Sequence, residues 1–130
     1  VAAREAYLRD AGEGTTVVNG RVRGRTLAAV DAWAVDALTR LNVDVAVVGT
    51  NGFSVERGLT TPDASEAGVK TAMVAAGRRV IALADSSKYG TDNLARFAEL
   101  RDIDVLVTDD GLATEHVAAI EGQGPDVVLG

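Results

Sequence analysis

The chain is 130 residues long and carries 13 Lys and Arg against 19 Asp and Glu, a net charge of −6 with its single His neutral. At 47% hydrophobic and 25% charged residues it has the make-up of one globular domain with one core rather than a disordered chain, and without cysteine it has no disulfide scaffold, thiolate zinc site or cysteine nucleophile. The acidic balance makes this segment a poor binder of nucleic acid by itself, because such binding rests on clustered Lys and Arg that neutralise phosphates. Apolar stretches such as Val80 to Ala84 reach only about five residues, against the roughly 18–20 that cross a bilayer, and Val1 opens no signal sequence. A soluble, cytoplasmic protein with no membrane partner is the expectation.

In chain order, Val1 to Leu8 reads as a helix with no cap before it, so a longer protein is expected to extend upstream. Thr15-Thr-Val-Val18 is a short apolar run, read as a strand. Ala34, Ala37, Leu38 and Leu41 then recur at i, i+3, i+4, i+7, the spacing of one apolar helix face, with Asp31 as a cap. Asp44 to Gly49 is the second strand. Val69, Ala72, Met73 and Ala76 line a second helix, started by Asp63 with Glu66 three residues on and stopped by Gly77. Strands follow at Arg79 to Asp85 and Asp104 to Asp109, separated by an irregular stretch in which Leu94 to Leu100 reads as a short strand or a helical turn. A third helix from Ala113 to Glu121 buries Ala113, Val117 and Ile120, and Asp126 to Leu129 is a fifth strand. The continuous, non-alternating apolar runs suit strands covered on both faces of a parallel sheet. The alternation predicts an α/β fold, a mostly parallel sheet with flanking helices and right-handed crossovers, in one domain over 1–130.

In such sheets ligands bind beyond the carboxyl ends of the strands. There the chain places Gly49-Thr50-Asn51-Gly52, Asp85-Ser86-Ser87-Lys88 and Thr108-Asp109-Asp110-Gly111. Each alone reads as a turn. Together they bring backbone and hydroxyl donors, a cation and carboxylates to one edge, which suits a polyhydroxylated anion such as a sugar phosphate. Lys88, three residues past a buried strand, reads either as a point charge for the anion or as an exposed lysine. Thr60, Thr61 and Asp63 precede the second helix, whose free amides favour an anion, plain capping being the alternative. Glu66 and Lys70, spaced i, i+4, read as a solvated ion pair. His116, alone, builds neither a triad nor a His metal pair and reads as a surface residue. No Walker or Gly-x-Gly-x-x-Gly loop exists and no cofactor is expected; Asp102-Ile-Asp104 and Asp109-Asp110 match phosphatase and receiver-domain acidic pairs only weakly.

From Asp44 onward the chain resembles the effector-binding domain of DeoR/GlpR-type bacterial transcriptional regulators. The residues that carry the resemblance are Asp44-Val-Ala-Val-Val-Gly-Thr-Asn-Gly52, Gly58-Leu-Thr-Thr61, Glu66-Ala-Gly-Val-Lys70, Leu83-Ala-Asp-Ser-Ser-Lys88 with Tyr89-Gly90, and Ile103-Asp-Val-Leu-Val-Thr-Asp109. Upstream, Val18 to Thr26 is similar to the family's Gly-Gly-x-x-Arg-x-x-Thr segment, with Asn19 in place of the first Gly and Asp31 where a Gly is common. The resemblance implies a Rossmann-like effector domain, lacking here its N-terminal part and its phosphate loop, with DNA bound only through an upstream winged helix-turn-helix. It also implies a small phosphorylated sugar or related metabolite as ligand, control of DNA binding, repression included, and a homo-oligomer. Ligand residues would be Gly49, Thr50, Asn51, Gly52, Thr60, Thr61, Glu66, Asp85, Ser86, Lys88 and Asp109.

The domain is also similar to ribose-5-phosphate isomerase and the amino-sugar phosphate deaminases, which makes an enzyme the rival reading. In that isomerase the equivalent loop carries Asp-Gly-Ala-Asp, whose carboxylates move protons; here Val48-Gly49-Thr50-Asn51 stands in its place. Glu66 and Lys88 align with an isomerase carboxylate and lysine, yet proton transfer needs the full set. Binding without turnover is therefore expected. A purely structural oligomerisation module ranks last, since it leaves three polar strand-end loops unexplained.

Overall fold

Runs of Val, Ile, Leu and Ala bounded by Asp and Gly build the central sheet. The computed structural model describes residues 32–130. The helix expected at Val1 to Leu8, the strand at Thr15 to Val18, the Asp31 cap and the Val18 to Thr26 segment lie outside the described residues. In order the elements are α1 (Ala32–Thr39), β1 (Val43–Gly49), β2 (Gly52–Ser54), β3 (Gly58–Thr61), α2 (Ala64–Ala76), β4 (Gly77–Leu83), a 3₁₀ turn (Ser86–Lys88), β5 (Ala95–Ala98), a second 3₁₀ turn (Leu100–Asp102), β6 (Val105–Thr108), α3 (Thr114–Glu121) and β7 (Asp126–Leu129).

Strands β1, β4, β6 and β7 form a four-stranded sheet in the order β1-β4-β6-β7, parallel throughout. The α/β class with a mostly parallel sheet and flanking helices is thus the observed one. Val48, Val80, Ala82 and Leu106 point to one face and pack with Ala67 of α2 and Ile120 of α3 in a single core. Leu106 and Ile120 are fully buried, each worth about 1.5–3 kcal/mol relative to exposure. On the other face Val45, Val47, Leu83 and Val128 are about half exposed. The expectation that these strands are covered on both faces holds only in part among the described residues: on this face Val105 is buried and Ile81 and Val107 half-buried.

Helix α2 starts as its sequence dictates: the Asp63 carboxylate accepts the Glu66 N–H at 2.9 Å, a cap worth about 1 kcal/mol. Val69, Ala72 and Ala76 form its buried stripe. Gly77 ends it in extended backbone (φ −86°, ψ 134°), not in the left-handed form typical of glycine stops, and is already the first residue of β4. Two helical readings need correction. Leu41 lies beyond the end of α1 and is exposed, and Ala113 is an exposed cap residue rather than a buried one; of the α3 face Ile120 is buried and Val117 half-buried.

A second, antiparallel sheet in the order β2-β3-β5 was not expected. Its strands are three or four residues long, too short to show a period. The ambiguous Leu94 to Leu100 stretch holds both alternatives in turn, strand β5 and then the 3₁₀ turn from Leu100. Phe53, fully buried, joins the two sheets: it lies in β2 and in the core shared with Val80 and Leu106.

Candidate functional site

The residues after β1, β4 and β6 lie at the carboxyl edge of the parallel sheet, and the start of α2 reaches the same edge through β3. The Thr50 hydroxyl donates to the carbonyls of Gly52 (2.8 Å) and Thr60 (3.1 Å), and the Asn51 N–H to Thr60 O (3.3 Å), so the β1 loop is folded onto β3. Thr60 is fully buried, and its hydroxyl oxygen accepts the Asn93 N–H (3.0 Å) and side-chain amide (3.3 Å). Both threonines hold the frame of the edge. Thr61, equally buried, has a hydroxyl with no hydrogen-bond partner among the described residues, as does Thr108 at the end of β6. A buried polar atom left unpaired costs about 1–3 kcal/mol, which is seldom tolerated without a use.

Glu66 and Lys70 are not a solvated pair. Their side chains are 11% and 15% exposed and 3.4 Å apart. The Lys70 ammonium donates to the Gly49 carbonyl at 2.8 Å and lies 5.2 Å from the centre of the Phe97 ring. The i, i+4 spacing is identical for exposed and packed pairs, so only the position of β1 over α2 decides this one.

Asp109 ties two of the three loops together. Its carboxylate accepts the Ser86 N–H and the Gly111 N–H, both at 2.8 Å. Hydrogen bonds from the side chain and backbone of Ser86, then from Gly111, hold its carboxyl below the usual carboxylate range. This depressed value stabilises the fold above the ordinary aspartate pKa of about 3.9, and the benefit is lost as pH falls through the folded value. Asp109→Asn should therefore melt below the parent at neutral pH, with the gap closing on acidification under about pH 4. Melting curves across that range check this; a gap unchanged down to about pH 2 contradicts it. The exposed Asp85 carboxylate accepts the Ser87 N–H (3.0 Å) and hydroxyl as the cap of the 3₁₀ turn.

Lys88 ends that turn, half-buried, and its ammonium makes no hydrogen bond or ion pair among the described residues. Next to it Tyr89 meets the Phe53 ring edge-on (5.4 Å between centres) and lies 4.5 Å from the His116 ring, while the Gly90 N–H donates to Phe53 O at 2.8 Å. His116, its side chain 42% exposed, is therefore a surface residue as expected, with one face laid against Tyr89. The chain between β4 and β5 thus lies against β2 and α3 and brings the sequence-predicted residues to one edge. Reading the sequence missed Asn93 and the Tyr89–His116 contact; only Tyr89, adjoining Lys88, carried a signal. Among the described residues no group of three or more His, Asp or Glu is disposed to hold a metal.

Comparison with known proteins gives a family match and a set of regulators. The model of the DeoR C-terminal sensor domain matches residues 6–110. A relative named HTH-type transcriptional regulator GlpR, from Haloferax volcanii, is 40% identical over 114 residues, covering 88% of this chain and 45% of the relative. The HTH-type transcriptional repressor GlcR of Bacillus subtilis is 40% identical over 75 residues, 58% of this chain and 29% of that protein. A putative aga operon transcriptional repressor of Escherichia coli O157:H7 is 24% identical over 124 residues, 95% and 46% respectively. The chain spans less than half the length of these curated relatives.

Proposed function

Because this chain belongs to the DeoR C-terminal sensor domain family, a family of sensors rather than enzymes, we propose that it binds a phosphorylated sugar or related metabolite at the carboxyl edge of its parallel sheet. The observation that carries the reading is Lys88. Its ammonium is without a partner among the described residues, while Asp109 at the same edge accepts the N–H groups of Ser86 and Gly111 and Asp85 caps its own turn through Ser87. A phosphate supplies the missing counter-charge. The exposed Asn51 supplies a neutral partner for the sugar. Gly49, Thr50, Gly52, Thr60, Glu66 and Ser86 shape the edge through the bonds described above.

Turnover is not part of this reading. Val48 is a buried core residue and Asn51 carries no charge, so the proton-moving carboxylates of the similar isomerase have no counterpart at these two positions. Ligand binding acts on DNA only if the two functional states differ in ligand affinity. In the proposed arrangement a DNA-binding part elsewhere in the whole protein is biased by this domain. That protein works in the cytoplasm, as an assembly of identical copies matching the two-fold symmetry of operators.

The test is Lys88→Met, which keeps the apolar stem and deletes the ammonium. Calorimetry with phosphorylated and unphosphorylated forms of each candidate sugar should show about a 10- to 150-fold weaker grip on the phosphorylated form only, the loss of one charge-assisted hydrogen bond of roughly 1.5–3 kcal/mol. Unchanged affinity for the phosphorylated form moves the phosphate away from Lys88.

A further inference from the structure

At the opposite, amino edge of the sheet lies a recess of about 260 Å³ that the sensor reading does not use. Its walls come from the β2–β3 turn, β5, the 3₁₀ turn before β6 and the segment before β7, and they carry Arg57, Arg96, Arg101, Glu56, Glu99 and Gln123. In a chain of net charge −6 this is a local excess of positive charge, three guanidinium groups against two carboxylates. Glu99 serves two of the arginines, one oxygen each: Arg101 Nε is 2.5 Å from Oε2, and Arg96 Nη1 is 3.8 Å from Oε1. A guanidinium has five N–H donors, so one carboxylate leaves most of these unmet. Arg57 makes no ion pair among the described residues, and its backbone N–H is fixed by the Ser54 hydroxyl at 3.0 Å, which anchors the turn that carries it.

We propose that Arg57, Arg96 and Arg101 form a second anion site, which takes a compact oxyanion, the phosphate or carboxylate of a small metabolite. Guanidinium donors in a fixed fork match the oxygens of either group, two at a time. The volume sets the size: pockets for drug-sized ligands measure about 300–1,000 Å³, so this recess suits a smaller anion or the charged end of a larger one. Gln123 adds an uncharged donor at the rim. The site stands apart from Lys88, at the other end of the strands, and is independent of the role proposed for that residue.

Arginine side-chain resonances of the intact protein, followed by NMR during titration with inorganic phosphate and separately with malonate, test it. Saturable displacement of the Nε–Hε signals of Arg57, Arg96 and Arg101 is expected with one or both anions, and which one acts separates a phosphate from a carboxylate site. Chloride at matched ionic strength should not reproduce the shifts, since it screens charge without offering paired oxygens. Arg57→Met should weaken the binding about 10-fold or more, and Lys88→Met should leave it unchanged. Arg57 is exposed, so its loss should spare the fold, which the melting temperature verifies. Shifts that fail to saturate, that chloride reproduces, that survive Arg57→Met or that vanish in Lys88→Met each overturn the proposal.

Discussion

Gly52→Ala is expected to destabilise this protein by about 3 kcal/mol, and Gly49→Ala, in the same Gly-Thr-Asn-Gly loop, by almost nothing. A Cβ at Gly52 would run into the Thr91 carbonyl oxygen and stand 2.9 Å from the Asn93 side-chain nitrogen. The first obstacle is backbone, which cannot swing aside, so β2 or the 90–93 segment must shift, an overpacking cost at or above the usual 1–3 kcal/mol. A Cβ at Gly49 meets nothing within 4 Å, and its backbone is not left-handed. For a chain of this size the Gly52 variant should melt roughly 10–15 °C lower. Thermal unfolding of both variants decides the matter: equal melting temperatures would mean that the 90–93 segment does not lie against β2. The contrast bears on the proposed ligand edge, because the segment held off by Gly52 carries Asn93, which fixes Thr60.

The second large effect is at Phe53. The ring is fully buried, lies in the core with Val80 and Leu106, and takes the edge-on contact of Tyr89, while its carbonyl receives the Gly90 N–H. Truncation to alanine removes apolar burial and leaves a cavity between two sheets that cannot both collapse into it. The expected cost is about 3–5 kcal/mol, of which the aromatic pair accounts for roughly 0.5–1.5. Against a typical stability of about 5–15 kcal/mol this is enough to populate the unfolded chain. Phe53→Leu, which fills most of the space, should recover the larger part. Urea unfolding checks both, and a loss under about 1 kcal/mol for the alanine variant would show that the Phe53 pocket closes without it.

The elements of the parallel sheet and the edge that carries the candidate site were readable in the sequence because their signals are local. Val45 to Val48, Val80 to Leu83 and Val105 to Val107 are apolar runs that need no partner to be recognised, and the Asp63 carboxylate caps a helix amide three residues away, within reach in any context. The polar loops after each run lie together because parallel strands all deliver their carboxyl ends to one side. The small sheet was illegible for the converse reason. Phe53 pairs with Leu59 in a three-residue strand, and β5 joins β3 across more than thirty residues, which no spacing along the chain reports.

Composition and short-range pattern thus determined the class of fold, the polar character of the carboxyl edge and the departure from the isomerase carboxylates at Val48 and Asn51. Tertiary structure alone decided what each polar side chain does there. Glu66 and Lys70 have one spacing whether they face water or the Gly49 carbonyl, His116 is a lone histidine until Tyr89 is laid against it, and that Asp85 and Asp109 accept hydrogen bonds from Ser87, Ser86 and Gly111 is set by the folded loops. The physical reason is that helix, strand and cap signals are interactions between residues a few positions apart. Whether a donor or a charge is already satisfied depends on atoms brought from distant parts of the chain, and Lys88 is distinguished only by what, among the described residues, does not reach it.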